Sequence, residues 1–195
     1  MIWSHLILSV AWIIFCILHS VFASLTFKQL VKNRMGKQYR FYRLYYTIVA
    51  ALSFAAVLVY LIIIPSYRLF VATTGTVVTG TFISLLGFTI MCICNAKYFM
   101  QVTGLKGLTE TKTHNELMIT GIHKFVRHPL YTGTFVFIWG LFIIFPSISA
   151  LITDIIITTY TLIALRFEEQ KLEKEFGVAY KTYKKKVPML IPRIG

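Results

Sequence analysis

Five apolar stretches run through this 195-residue chain, at about 2–25, 45–64, 76–94, 129–145 and 148–167. Each is close to the about 20 helical residues needed to cross a hydrocarbon core of roughly 30 Å. No soluble domain of useful size remains between them. Charged residues make up 14% of the chain and hydrophobic residues 57%, where a soluble domain carries about 25% charged residues. The expected fold is an all-α integral membrane protein built as one membrane domain over 1–195. It has five transmembrane helices, a cytoplasmic connector and a C-terminal helical tail. The first stretch is too long for a signal-peptide core and follows no basic region, so it reads as a span.

The loops give the orientation. Of the 20 Lys and Arg residues, 19 fall in three regions, 28–43, 95–128 and 166–195, and only Arg68 lies elsewhere. Five spans place all three regions on one face, which the positive-inside rule makes cytoplasmic. The N-terminus is then outside and the C-terminus cytoplasmic. The net charge of +13 does not indicate nucleic acid, because the basic residues alternate with spans and no reading module is present. Cys16, Cys92 and Cys94 are odd in number and lie in apolar segments, so they read as small packing residues rather than a disulfide framework. Side chains at i and i+2 on a helix point apart, which makes Cys92 and Cys94 a poor metal clamp. No metal site is expected.

The polar sequence gathers on the basic face. One string there is Gly121-Ile-His123-Lys-Phe-Val-Arg127-His128-Pro129-Leu-Tyr131-Thr-Gly133; a second begins Arg166-Phe-Glu168-Glu169. An apolar hairpin separates them. Ionisable residues clustered at a membrane surface mark a candidate functional site. Pro129 suits the first turn of a helix, which puts Arg127 and His128 at or just before that helix's start. Arg127 and Tyr131 also fit as interfacial anchors. Gly121 and Gly133 permit close approach of a backbone or ligand.

Glu168 and Glu169 fit a solvated face, or the first turn of a new helix, where negative charge is favoured. Arg166 stands at i, i+3 spacing to Glu169 and can pair with it or hold an anion. The tail after Glu168 reads as helix, with Leu172, Phe176 and Tyr180 on one face. The stretch between Pro188 and Pro192 cannot be regular helix and is expected to pack back onto the core. Lys184, Lys185 and Lys186 suit an anionic leaflet. Asp154, in the fifth span, reads either as an intramembrane functional acid or as a headgroup-exposed residue. The stripe His19-Ser20 with Ala23-Ser24 reads as a helix–helix contact. No Ser-His-Asp order, phosphate loop, HExxH motif or zinc spacing appears.

In these residues the chain resembles the membrane-embedded methyltransferases of the isoprenylcysteine carboxyl methyltransferase type. That superfamily also includes the phospholipid methyltransferases. The likeness covers about 95–192. It rests on Gly121, the Arg127-His128-Pro129-x-Tyr131-x-Gly133 string, Glu168-Glu169, Leu172, Phe176-Gly177, Tyr180, Tyr183, Val187-Pro188 and Ile191-Pro192. His19-Ser20 with Ala23-Ser24, Tyr42-Arg43-Leu44 with Tyr46, and Thr103-Gly104-Leu105 are similar to the branch containing methanethiol S-methyltransferase. His123 stands where the family usually has Tyr. The acidic run is shorter than in the carboxyl methyltransferases.

The resemblance implies S-adenosylmethionine as methyl donor at the cytoplasmic ends of the last two spans. It implies donor contacts from Leu117, Met118, Gly121, His123, His128, Pro129, Tyr131 and one or both of Glu168 and Glu169. Tyr131 would offer an aromatic face to the sulfonium or adenine. A carboxylate of Glu168 or Glu169 would bind the donor's ammonium or ribose. Arg127, His128, Arg166 or Glu169 would act on the acceptor. The acceptors in order of preference are a thiol, a prenylcysteine carboxylate and a phospholipid amine. The partners implied are a lipophilic or small thiol acceptor and the lipid bilayer, with no nucleic acid. A small transporter or assembly factor is the competing class, and it predicts intramembrane polar residues along a path. A nicotinamide-dependent reductase is disfavoured by the short chain and the lack of a dinucleotide fingerprint.

Overall fold

A computed structural model of the chain describes residues 1–102 and 117–193. Its helices are α1 (Ile2–Ala23), α2 (Leu25–Met35), α3 (Tyr42–Ile63), α4 (Thr74–Val102), α5 (Pro129–Ile144) and α6 (Ile148–Lys186). Two 3₁₀ turns, Gly36–Phe41 and Gly121–Lys124, precede α3 and α5. Among the described residues the only β pairing is an isolated bridge between Arg68 and Ser147. The expected all-α multi-pass membrane protein is therefore the one observed. Four helices, α1, α3, α4 and α6, are long and apolar enough to cross a membrane. The remaining expected span is α5, of 16 residues. At 1.5 Å per residue it reaches about 24 Å, short of a full hydrocarbon core.

The element boundaries differ from the sequence expectation in three places. The first span ends at Ala23, because Ser24 turns extended and its hydroxyl accepts the Phe27 N–H at 3.2 Å. The basic loop that follows is thus partly a helix with a serine N-cap. The third span continues as α4 to Val102, into what reads as connector. The Thr103-Gly104-Leu105 string and the rest of that connector, with Lys106 and Lys112, lie outside the described residues.

The third difference concerns the tail. No new helix starts at Glu168, since α6 runs unbroken through it, so the helix-start rationale for the acidic pair does not hold. The turn comes instead at Gly177, with φ 54 and ψ −123, a conformation nearly confined to glycine. There the chain reverses. Tyr180 is fully buried and Leu172 and Phe176 half-buried, but Tyr180 lies beyond the kink rather than on one continuous face.

By its internal packing the chain divides into two units, one formed by Met1–Leu69 with Ser147–Ile156, the other mainly by Phe70–Lys97, the stretch up to Pro146 and the chain from Ile157. In the first, α1 buries Leu8, Trp12 and Cys16 along one face. Trp12 Nε1 donates to Thr153 Oγ1 at 2.9 Å. The expected α1 contact stripe meets two tyrosines of α3. The Tyr46 hydroxyl lies 3.0 Å from the His19 ring, and the Tyr42 hydroxyl donates to Phe22 O at 2.6 Å. Asp154 is 5% exposed, not open to the headgroups, and its Oδ2 has no hydrogen-bond partner among the described residues.

In the second unit, glycines let α4 and α5 touch backbone to backbone. A Cβ on Gly87 would fall 2.7 Å from Gly133 O, and one on Gly140 would fall 2.7 Å from Ser84 N. The seven-residue spacing of Gly80 and Gly87 on α4, matched by Gly133 and Gly140 on α5, keeps this seam on one side of each helix. The seam fixes α5, and so the site at its N-terminus.

Candidate active site

Helix α5 opens as its sequence dictates, with His128 at the N-cap position and Pro129 in the first turn. Proline has no N–H to leave unpaired there. The residues just before it are pinned by the tail. Arg127 N donates to Pro188 O at 2.9 Å, His128 N to Met189 O at 3.1 Å, and Thr132 Oγ1 to Leu190 O at 2.8 Å. The stretch between the prolines thus packs back onto the core, as expected, and satisfies backbone donors at the helix start.

Glu169 stands at the centre. Its Oε1 accepts from Arg127 Nε at 2.7 Å and from Tyr180 OH at 3.2 Å, and lies 3.3 Å from His128 Nε2. Its Oε2 lies 3.1 Å from Lys184 Nζ, which also meets Glu173 at 2.8 Å. Arg127 Nη1 donates to Lys184 O at 3.2 Å and also to Val187 O. The reversal at Gly177 is what carries Tyr180 and Lys184 back to Glu169. Glu169 is 7% exposed and His128 6%. A carboxylate this dry is tolerated only because it is paired and fully hydrogen-bonded.

The titration behaviour follows. Burial pushes the Glu169 carboxyl up, but the hydrogen bonds and charges of Arg127 and Lys184 outweigh it and hold the group below its usual range. Burial lowers His128, against the opposing pull of Glu168 and Glu169. The imidazole is therefore neutral near pH 7. Because a carboxylate can only accept, the His128 proton sits on Nε2 facing Glu169. Burial, together with the neighbouring Glu169 charge, raises the Tyr180 hydroxyl, so it stays protonated and remains a donor.

Glu168 is in a different position. It is half-exposed, and its Oε2 accepts from Tyr131 OH at 3.1 Å. Among the described residues no cation forms an ion pair with it. The Tyr131 ring lies 6.0 Å from the His128 ring. Leu117 and Met118 are half-buried ahead of the Gly121–Lys124 turn, and Gly121 adopts φ 64. His123 donates from Nδ1 to Arg127 O at 3.2 Å, while its own carbonyl accepts from Tyr183 OH at 2.6 Å.

The two sequence strings therefore meet in one cluster, with Arg127, His128, Tyr131, Glu168 and Glu169 in direct contact and His123 bonded to Arg127. Arg166 does not join it. Its side chain is exposed, and the ion-pair partners of Glu169 are Arg127, Lys184 and His128. Lys184 is the member that sequence reasoning missed, as it reads there as a leaflet-facing lysine. Its signal is Gly177, a glycine stop inside a helical pattern. Among the described residues no group of three His, Cys, Asp or Glu is placed to hold a metal ion.

Comparison with known proteins gives one family. The model of the phospholipid methyltransferases matches residues 69–179, more than half of the chain. Over 75 residues the chain is 41% identical to methanethiol S-methyltransferase 2 of Bradyrhizobium diazoefficiens, covering 37% of this chain and 27% of that protein. It is 40% identical over 73 residues to methanethiol S-methyltransferase of Crocosphaera subtropica, 37% of this chain and 28% of that one. It is 33% identical over 85 residues to protein-S-isoprenylcysteine O-methyltransferase of Schizosaccharomyces pombe, 43% of this chain and 36% of that one. The matched stretches thus span only about a quarter to a third of the length of these relatives. No solved structure matches. A family match this long, enclosing both feet of the apolar hairpin with Arg127, His128, Tyr131, Glu168 and Glu169, makes the chain a member of the phospholipid methyltransferase family.

Proposed function

We propose that this protein transfers the methyl group of S-adenosylmethionine to a small or lipophilic thiol at the cytoplasmic membrane face. The observation that carries the reading is the contrast within the acidic pair. Glu169 is enclosed by Arg127, His128, Tyr180 and Lys184, whereas Glu168 is half-exposed beside Tyr131, with no cation ion-paired to it among the described residues. A carboxylate and a phenol presented together suit a ligand that carries an ammonium, a sulfonium and ribose hydroxyls. The donor set thus fits the methyl donor. When bound, S-adenosylmethionine supplies an already activated methyl group, so the chain mainly has to position and stabilise.

In this reading Glu168 and Tyr131 meet the donor, with Leu117, Met118, Gly121, His123 and Pro129 lining its place. Arg127 and Glu169 are positioning residues, because their polar atoms are already engaged with each other and with the tail. His128 holds its proton on Nε2, which leaves Nδ1 as the atom able to receive one from a thiol acceptor. Arg166, exposed on α6, is left to steer an anionic acceptor. The thiol is favoured by the methanethiol S-methyltransferases among the relatives, and a prenylcysteine carboxylate is the second choice through the isoprenylcysteine O-methyltransferase. The topology proposed with it has five crossings including α5, the N-terminus outside and the C-terminus cytoplasmic. It is supported by the confinement of 19 of 20 Lys and Arg to three regions.

The test is calorimetry on the purified full-length protein with S-adenosylhomocysteine, followed by label transfer from methyl-labelled donor to methanethiol. Binding is expected for wild type, with a loss of at least about tenfold in Glu168→Gln, the removal of one charged contact. No binding by wild type, or unchanged binding by both Glu168→Gln and Tyr131→Ala, would overturn the reading.

A further inference from the structure

The family match begins at residue 69, so the preceding chain carries no assignment from it. That stretch contains a groove between α1 and α3. Phe15, Leu18 and Phe22 line one wall and Val49, Ala50 and Ser53 the other, with His19 and Tyr46 also facing it. His19 belongs to the last two turns of α1, and Tyr46 to the second turn of α3, so this polar pair sits at the groove's end nearest α2.

Beyond the pair, tyrosines continue in line. The rings of Tyr46 and Tyr42 stack at 6.5 Å and those of Tyr42 and Tyr39 at 5.6 Å. They lead to the elbow formed by α2 and the Gly36–Phe41 turn. There Lys32, Arg34, Arg40 and Arg43 are exposed. The sequence holds no Asp or Glu before Glu110, so these cations have no carboxylate of their own segment to answer them. Arg40 lies over the Phe41 ring at 4.6 Å, and among the described residues no carboxylate forms an ion pair with it.

From groove to elbow the surface passes from apolar, through hydroxyl and imidazole, to cationic. A glycerophospholipid with an anionic headgroup has the same three zones, an acyl chain, a polar ester region and a negative phosphate, in the same order. We propose that this elbow and groove bind one anionic phospholipid of the surrounding leaflet, with an acyl chain between α1 and α3 and the phosphate on the elbow cations. Several cations near an anionic surface act together, each contributing favourably. The aromatic rings fit the interfacial zone between them. The His19 and Tyr46 groups face the ester region rather than the tail, so no polar atom is stranded in hydrocarbon.

The test is native mass spectrometry of the detergent-purified full-length protein, titrated with dioleoyl phosphatidylglycerol or dioleoyl phosphatidylcholine. Wild type is expected to retain the anionic lipid at least about tenfold better, the effect of a few cations at a charged surface. The variant Lys32→Gln/Arg34→Gln/Arg40→Gln/Arg43→Gln is expected to bring the two lipids to parity. Each half of it, Lys32→Gln/Arg34→Gln and Arg40→Gln/Arg43→Gln, touches only exposed side chains and is expected to give a partial loss. Ala50→Trp, which fills the groove, is expected to weaken retention with every cation in place. The control Lys185→Gln/Lys186→Gln, in the tail, is expected to leave the preference intact. Equal retention of both lipids by wild type would overturn the proposal. So would a preference that survives neutralisation of the elbow, or one that only the tail variant removes.

Discussion

Arg127 and Glu169 stand 42 residues apart in sequence and close a two-contact ion pair, with Nε 2.7 Å and Nη2 2.5 Å from the same carboxylate oxygen. One partner precedes α5 and the other lies in α6, and the tail reaches both through Lys184 and Val187. A single carboxylate thus joins three segments of the chain, alongside the hydrogen bonds that Arg127, His128 and Thr132 make to the backbone of the tail. That makes the pair a fixed frame against which Glu168 and Tyr131 are held.

The first prediction follows from the frame. Glu169→Ala leaves the buried Arg127 without its carboxylate, and Arg127→Ala leaves the buried Glu169 with the exposed Lys184 as its remaining cation; each is expected to destabilise by about 3–5 kcal/mol. Glu168→Ala, at a half-exposed carboxylate whose hydrogen bond comes from the Tyr131 hydroxyl, is expected to change stability by about 1 kcal/mol, since solvent can replace that partner. The double variant Arg127→Met/Glu169→Leu is expected to be more stable than either single variant, because no unpaired charge remains. Denaturation in mild detergent measures all four. Equal losses for Glu168→Ala and Glu169→Ala would contradict the division of roles.

The second concerns pH. Burial holds His128 below its ordinary 6.5, so the unfolded chain binds the proton more readily than the folded one. Stability is therefore lost as pH falls from about that value through the folded pKa. Glu169 is held below its ordinary 4.5, so its contribution is present above that pH and fades as pH falls further. Both act in the same direction. The melting temperature is expected to drop in two stages on acidification, the first of them absent in His128→Gln. A first stage that persists in His128→Gln would assign it to another group.

Much of this was legible in the residues, and the exceptions have physical reasons. The apolar runs mark the helices because a bilayer demands length and satisfied backbone, and the Arg127-His128-Pro129 string ahead of an apolar run marks a helix start because the first turn is where a helix accommodates proline. The Pro188–Pro192 segment could be placed on the core from its composition alone. The role of Lys184 could not, since it depends on the chain reversing at Gly177, and a lysine among lysines looks like a surface residue. The burial of Asp154 was hidden for a related reason. Its distance from the turn is the same whether its helix face meets lipid headgroups or other helices, and only the packing decides.

The third prediction tests the reversal. At Gly177 a Cβ would meet nothing within 4 Å, so Gly177→Ala introduces no clash. Its φ of 54 and ψ of −123 are nevertheless unfavourable for alanine by about 1–3 kcal/mol. The tail should loosen from Glu169, and trypsin should cut at Lys184, Lys185 and Lys186 faster than in wild type, with the overall fold kept. Unchanged proteolysis would mean that the tail holds its place without this turn.

The fourth concerns the α4–α5 seam. A Cβ at Gly140 would meet Ser84 Oγ at 2.5 Å and Ser84 N at 2.7 Å. Overpacking of this kind typically destabilises by about 1–3 kcal/mol. Because one of the two obstructing atoms is backbone, Ser84→Ala is expected to rescue Gly140→Ala only in part. Complete rescue, read from the melting temperature of the double variant, would show that the helices are free to move apart.

The last concerns Asp154. Its side chain is almost wholly buried beside Thr153, which bonds Trp12, yet Oδ2 lacks a partner among the described residues. An unsatisfied buried acceptor is unfavourable by about 1–3 kcal/mol. Asp154→Ala removes that acceptor and leaves a small void, whereas Asp154→Leu also refills the space. Asp154→Leu is therefore expected to be more stable than wild type, and Asp154→Ala to fall between the two. Acids within membrane segments are kept mainly where they serve a function, so the same variants should be assayed for methyl transfer. Higher stability with activity intact would make Asp154 a tolerated defect, and higher stability with activity lost would make it a working group. A lower melting temperature for Asp154→Leu would mean that Oδ2 has a partner, such as a bound water, that the helices hold in place.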